Sequence, residues 1–415
     1  MLSGRHLLWV CAPLLLLTAC TASTDLTEED QEALVTPAKI SARQVSNPAD
    51  LPSTPPAIGN QRVHMIDVGS GLSILIQGHD FTMLYDGGSN DDSKGVTASS
   101  GAAGNQSRLL AYLFATVGPS GGPECVPQGD KWKQGSSFPE RTIDHLVLSH
   151  AHRDHISMLG DVLHCYKVKN VWEPGADYHQ ISYSDFVASV AAEAGVVYHT
   201  AAAPPSPLPA TWAGAKIPAG FKWTQFSEND QVALGLSARF KVIHVDPKAT
   251  AAEANNSSVV LKVTLKKRTL LLMGDAQGGV RSAPETTANS VEKDILSRHA
   301  GELDADIFQI GHHGSMTSSR RELIQAVFPQ ATASASRPRF SLLSAGPTPY
   351  VGQVLPDPVI VAEVSNFLPG MNLLSTNTHD RQGGPGNPDN CPAPDRVGVD
   401  DEAPGGCDNF VLDLQ

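Results

Sequence analysis

The sequence predicts one α/β domain of layered β-sheets covered by helices. Three observations carry that prediction. The chain has 415 residues, 41% of them apolar, which is ample for a sizeable core. From Val63 onward, short β-rich runs alternate with stretches of helical spacing. No internal repeat of solenoid length interrupts this texture.

In chain order, residues 1–20 (MLSGRHLLWVCAPLLLLTAC) have a basic start, an apolar centre too short to span a bilayer, and small residues before Cys20. They read as an export signal. The ending Leu17-Thr18-Ala19-Cys20 resembles the lipobox of bacterial lipoproteins, which implies a lipid on Cys20 and a chain anchored to a membrane of a bacterial cell envelope. The alternative is an ordinary cleaved signal. Residues 21–60 are polar and then Pro-rich without apolar periodicity, and are expected to be a flexible tether to a domain spanning 61–415.

Within that domain, VHMIDVGSGLSILIQG and FTMLYDGG read as two β-rich runs joined as in a hairpin. RTIDHLVLS is a strand ending at Ser149, and ISMLGDVLHCYKV places Ile156, Leu159 and Leu163 at helical spacing. SYSDFVASVAAEAGVVYHT is a helix followed by a strand. RFKVIHV, SSVVLKVTL, RTLLLMG and DADIFQI are β-like, RRELIQAVF is a helix, and PRFSLLSAG, NLLSTNT and NFVLDLQ are closing strands.

Of six cysteines, Cys11 leaves with the signal and Cys20 takes the lipid, so Cys125, Cys165, Cys391 and Cys407 remain. An even number in an exported chain suggests disulfides. Cys125 with Cys165 and Cys391 with Cys407 is the favoured pairing, because each closes a Gly/Pro-rich excursion; buried free thiols are the alternative. The insertion near 381–407 then becomes a disulfide-closed surface loop, since its acids lack EF-hand spacing. A formal charge of −13 disfavours nucleic acid as a general partner.

The chemistry concentrates in SHAHRDHISML, Ser149–Leu159, a loop between a strand end and a helix start. His150 and His152, two apart on extended backbone, point the same way and suit one cation. Asp154 and His155, on the turn into the helix, suit a second ion close by. A solvated polar loop is the bland alternative, but HxHxDH is far from a chance pattern.

HAHRDH resembles the signature loop of the metallo-β-lactamase superfamily. HMIDVGSGLSILI, MLYDGG, NNSSVVLKV, LLLMGDA and IGHHGSMTS follow the order seen in the extracellular metal domain of ComEC-type competence proteins, and bacterial phosphorylcholine esterases are similar. The resemblance implies an αβ/βα four-layer sandwich, two mixed β-sheets packed face to face with helices outside. It implies a metallo-hydrolase with two divalent cations, zinc or manganese. Asp275 then bridges the ions and His312 is the favoured last histidine ligand, with His313 beside it either supporting a ligand from behind or contacting substrate oxygen; Gly311 and Gly314 permit either histidine to face inward. His244, at the end of RFKVIHV, falls where a third ligand of the first ion belongs, with Asp246 or water as alternatives. Asp86 orients a ligand from behind, and Asp154 also handles the nucleophile or its proton. Asn256 and Ser257 either bond phosphate oxygens or merely form a turn.

At PYVGQVLPD, where ComEC-type domains often have a histidine after the tyrosine, this chain has Gly352 and Gln353, so the resemblance does not carry over the details of substrate handling. The expected activity is phosphodiester hydrolysis by a monomer, on a small or polymeric substrate. The alternatives are a lactone, thioester or β-lactam hydrolase and a non-catalytic surface-binding lipoprotein.

Overall fold

A computed structural model describes residues 39–45, 50–88, 108–121, 139–175, 181–279, 281, 290–329, 337–346, 355–367, 372–376 and 409–415. The strands are β1 (Ile40–Val45), β2 (Gln61–Met65), β3 (Ile74–Gly78), β4 (Thr82–Tyr85), β5 (Thr142–Val147), β6 (Lys167–Glu173), β7 (Val197–Thr200), β8 (Thr211–Trp212), β9 (Ala215–Lys216), β10 (Lys222–Gln225), β11 (Gln231–Ala233), β12 (Ala238–His244), β13 (Val260–Leu265), β14 (Arg268–Leu272), β15 (Ile307–Gln309), β16 (Phe340–Leu343), β17 (Asn372–Ser375) and β18 (Asn409–Leu414). The helices are α1 (Arg108–Thr116), α2 (Arg153–Ile156), α3 (Leu159–Cys165), α4 (Ile181–Ala192), α5 (Val291–His299), α6 (Arg321–Val327) and α7 (Pro358–Phe367).

Among the described residues these strands form a nine-stranded sheet, β1-β18-β2-β3-β4-β5-β6-β7-β10, a seven-stranded sheet, β11-β12-β13-β14-β15-β16-β17, and a small β8-β9 pair. Each large sheet is mixed. Pairing is antiparallel from β1 to β4 and parallel from β4 to β10; in the second sheet it is antiparallel from β11 to β14 and parallel from β14 to β17.

The side-chain period of two sorts buried residues into three apolar layers. Ile74, Ile76, Met83 and Tyr85 point between the sheets, where they meet Phe240, Val263, Leu270, Ile307 and Leu342. Leu75 and Leu84, one residue out of phase, pack outward against Leu109, Leu113, Leu163 and Phe186 of α1, α3 and α4. On the far side, Leu271, Phe308 and Leu343 pack against Ile295, Leu323, Ile324 and Ile360 of α5, α6 and α7. The result is the predicted αβ/βα sandwich, with strands apolar on both faces because both faces are covered.

Three local expectations are corrected. Ile40–Val45 is a strand, not tether: it pairs over its whole length with β18, whose free edge supplies the hydrogen bonds that the polar sequence alone did not advertise. VHMIDVGSGLSILIQG is two strands, broken where Gly69 and Gly71 take φ of 74° and 142°. The helix after His155 stops at Cys165, and KVKNVWE becomes β6. The expected signal segment with Cys20, as well as Cys125 and the 381–407 insertion, lie outside the described residues; Cys165 is buried at the end of α3.

Inside the first sheet, His64 is fully buried and has its tautomer fixed: Nε2 donates to Gln77 Oε1 at 2.9 Å, and Nδ1 accepts from Tyr112 Oη at 2.8 Å. Burial above all, with Arg62 adding to it, depresses its pKa from 6.5 to about 3. In the unfolded chain His64 gains its proton near pH 6.5 and in the folded chain only near 3, so stability is complete above 6.5 and falls with pH through that window. Between pH 6.5 and 5 the loss is about 2 kcal/mol. Denaturant unfolding of the protein and of His64→Gln across that range is expected to show a shallower pH slope for the variant.

Candidate metal centre

The carboxyl ends of the parallel strands in both sheets open onto one edge, where an α/β sheet ordinarily presents its ligand-binding loops. Asp86 follows β4, the histidine loop follows β5, Asp275 follows β14, and the GHHG turn follows β15. Gly274, at φ 53°, permits the approach of β14 to the histidine loop: a Cβ there would lie 2.8 Å from Ser149 Cβ.

Six of the sequence-predicted residues come together, in two groups that share Asp275. Asp154, His155, Asp275 and His313 form one group, and His150, His152 and Asp275 the other; within each, one donor atom per residue lies within 4.8 Å of the others. Asp275 Oδ2 stands 3.3 Å from His155 Nε2, 3.5 Å from His313 Nε2 and 3.7 Å from His150 Nε2. His155 Nε2 and His313 Nε2 are 3.2 Å apart, and His313 Nε2 is 3.2 Å from Asp154 Oδ2. His150 Nε2 is 3.0 Å from His152 Nδ1.

Behind the donors, hydrogen bonds fix which ring nitrogen faces inward. Asp86, fully buried at φ 61°, accepts from Ser149 N at 2.6 Å, Ser149 Oγ at 2.7 Å and His155 Nδ1 at 2.7 Å. An ionised carboxylate only accepts, so His155 carries its proton on Nδ1 and turns a lone pair at Nε2 into the cluster. The Ser149 hydroxyl has given its single proton to Asp86, so it accepts from His150 Nδ1 at 3.0 Å and frees His150 Nε2 in the same way. His313 Nδ1 donates to the Ser344 carbonyl at 2.9 Å, freeing its Nε2.

The fit of this donor set to divalent cations rests on charge and on an orphaned atom. Burial disfavours ionisation of Asp275, but His155, His313 and His312 outweigh it and hold the carboxyl well below its usual range. Burial likewise opposes charge on His313, yet Asp275 and Asp154 push its pKa up to about 10. The cluster is therefore built to hold positive charge. Asp275 Oδ1 is buried without a hydrogen-bond partner, an arrangement that costs free energy unless another positive group meets it.

Two assignments change. His312, expected as the ligand, stands at the rim: Nδ1 donates to Thr317 Oγ1 at 2.9 Å, and Nε2 is 3.3 Å from Asn255 Nδ2 and 3.9 Å from Asp275 Oδ2. The physical reason is the turn itself. His312 and His313 both adopt left-handed backbone, φ 48° and 52°, which swings His313 inward and leaves His312 partly exposed. His244 stays outside both groups: it lies two strands from β14, roughly 10 Å across the sheet, with Nε2 donating to the Asn256 carbonyl at 3.0 Å and Nδ1 3.4 Å from Glu228 Oε1. Asp246 is tied to its own turn, accepting from Lys248 N.

Of the NNSS loop, Ser257 caps a turn through the Ala254 carbonyl, whereas Asn255 lines a groove with His152, Asn256, Glu253 and Gln277. Sequence reasoning missed Ser149, whose place between strand end and first histidine was the available signal. It also missed Gln277 and the Ser344 carbonyl, and a backbone acceptor leaves no signal in a sequence. Replacing His313 by alanine is expected to abolish binding of the second cation, while His312→Ala keeps both and slows turnover by roughly tenfold. Metal analysis beside turnover separates the two roles.

This arrangement is that of a metal-dependent hydrolase, and the chain belongs to the metallo-beta-lactamase superfamily, whose sequence pattern matches residues 66–333. Its relatives include the uncharacterized protein YcaI of Escherichia coli K12, 26% identical over 278 residues, which are 66% of this chain and 25% of that protein. The chain thus spans about a quarter of that relative's length. Among solved structures, the metallo-beta-lactamase fold protein YhfI of Bacillus subtilis aligns over 75% of this chain and 95% of its own at 13% identity, TM-score 0.37. The diiron beta-hydroxylase CmlA of Streptomyces venezuelae aligns over 77% of this chain and 53% of its own at 11% identity, TM-score 0.36.

Proposed function

We propose that the chain is an exported, lipid-anchored phosphodiesterase whose six clustered side chains hold two divalent cations, zinc or manganese. The observation that carries this reading is Asp275, a strand-end carboxylate common to both donor groups and therefore suited to span an ion pair. His150, His152 and Asp275 give the first position three protein donors, which leaves room for water and substrate. Asp154, His155 and His313 complete the second with Asp275.

Bound there, such ions supply Lewis acidity and lower the pKa of a water toward neutrality. The chain's own residues do the positioning. Asp86, Ser149 and the Ser344 carbonyl hold the imidazoles in their ligating tautomers. Asn255 and Gln277 offer amide donors along the groove beside His152.

No lysine or arginine lines that groove among the described residues. Neutral donors suit the single charge of a phosphodiester better than the double charge of a phosphomonoester. The likeness of the motif order to ComEC-type domains and phosphorylcholine esterases supports the same substrate class, and the Leu17–Cys20 ending supports the anchor. Turnover of bis(p-nitrophenyl) phosphate by the zinc- or manganese-loaded protein, lost on chelation, is the expected result. A protein that binds two ions and leaves the diester intact would sink this reading in favour of carbon esters and lactams, for which nitrocefin is the first probe.

A further inference from the structure

Three turns at the end of the sandwich opposite the metal centre carry side chains that turn chemistry does not call for. Ile58, in the turn Ala57–Asn60, is 81% exposed, and Leu236, between β11 and β12, is 95% exposed. Lys266 and Lys267 form the exposed two-residue turn between β13 and β14. Lys266 sits at φ 56°, where asparagine or glycine is favoured.

The turns touch. Gln61 Nε2 donates to the Gly59 carbonyl at 3.4 Å and to Ser237 Oγ at 2.8 Å, and Lys266 N donates to the Ser237 carbonyl at 3.0 Å. Asp80 lies beside the Leu236 turn, its carboxylate engaged by Leu236 N at 2.8 Å. Large apolar side chains at turn tips gain nothing from the fold and disturb water, so a cluster of them beside lysines marks a contact surface.

Strand registers fix its direction. Ile40, Leu414, Gln61 and Gly78 lie in one row across the first sheet, beside these turns. Met65, Ile74 and Tyr85 form the row that leads to Asp86. β1 therefore starts, at Ile40, at the turn-bearing end.

We infer that this end rests on an anionic lipid bilayer, with Ile58 and Leu236 entering the interface and Lys266 and Lys267 meeting the headgroups. Apolar insertion combined with basic attraction is how a peripheral surface binds such a membrane. The metal centre then opens away from the bilayer, roughly 20 Å above it by strand length. Its substrates arrive from the aqueous side.

The test is flotation of the full-length chain carrying Cys20→Ser, which removes acylation, with phosphatidylglycerol vesicles. The apolar N-terminal stretch is common to all variants, so differences report on the turns. Ile58→Ser with Leu236→Ser is expected to lower partitioning about tenfold or more. Lys266→Glu with Lys267→Glu should lower it about fivefold or more, an effect absent with phosphatidylcholine vesicles. Both variants should keep the parent's circular dichroism and cooperative denaturant unfolding, which certifies the fold whatever the substrate.

Ile181, 82% exposed at the start of α4 on the metal-centre end, is the control, and Ile181→Ser should change nothing. The inference is overturned if the turn variants partition like the parent or if Ile181→Ser is the one that weakens binding. It also falls if the turn variants shift the oligomeric state in the absence of lipid, which would make a second copy the occupant. Mass spectrometry of Cys20 in the native chain reads the anchor separately.

Discussion

Replacing Asp275 by alanine is expected to lower diester turnover by about 10³-fold or more, the several kcal/mol that paired ions contribute to stabilising developing charge. Among the described residues, Asp275 is the one residue present in both groups, so its loss weakens both positions at once. The variant leaves His155 and His313, whose Nε2 atoms are 3.2 Å apart, with Asp154 as the remaining carboxylate near both. Metal analysis should therefore return fewer than two ions per chain. Full metal content with wild-type turnover would remove Asp275 from the site.

The second large effect is expected from Asp86→Asn, a change of one atom behind the donors. Its amide oxygen still accepts from Ser149 N, but its NH₂ presents hydrogens to Ser149 Oγ and His155 Nδ1, which already donate there. Relief requires His155 to move its proton to Nε2, which removes a ligand lone pair, or its ring to turn. Roughly 10–100-fold losses of metal affinity or activity follow from such outer partners. Ser149→Ala should reproduce a milder part of the loss, since the His150 bond, one Asp86 bond and a 3.4 Å contact with His155 Nδ1 disappear while Asp86 still accepts from His155. Unchanged zinc affinity in Asp86→Asn would show that the tautomers are set elsewhere.

What the sequence made legible was local. HAHRDH, LYDGG and MGDA each compress their chemistry into a few adjacent residues at strand ends, and the structure gathers all three at one edge. The assignments that failed depend on geometry that spacing does not encode. Whether His312 or His313 faces inward is decided by two consecutive left-handed residues, and Gly311 and Gly314 on either side are compatible with both outcomes. His244 ends its strand on the correct edge, but strand order, which sequence does not carry, puts it two strands away.

The fold divides likewise. Alternation within β3 and β4 predicted strands because their side chains sort between two buried layers. Ile40–Val45 was illegible because its order comes from a partner late in the chain.

That partner has a consequence for how the chain is made. β18 lies between β1 and β2, and Asp413 pairs with Arg62 across 351 residues of sequence. Closing so long a loop is entropically slow, and the first sheet stays split until residues 409–414 emerge. Until then β1 has no neighbour and β2 shows an unpaired edge. Until residues 409–414 have emerged, a nascent chain of this design carries a bare strand edge that another extended segment can pair with out of turn.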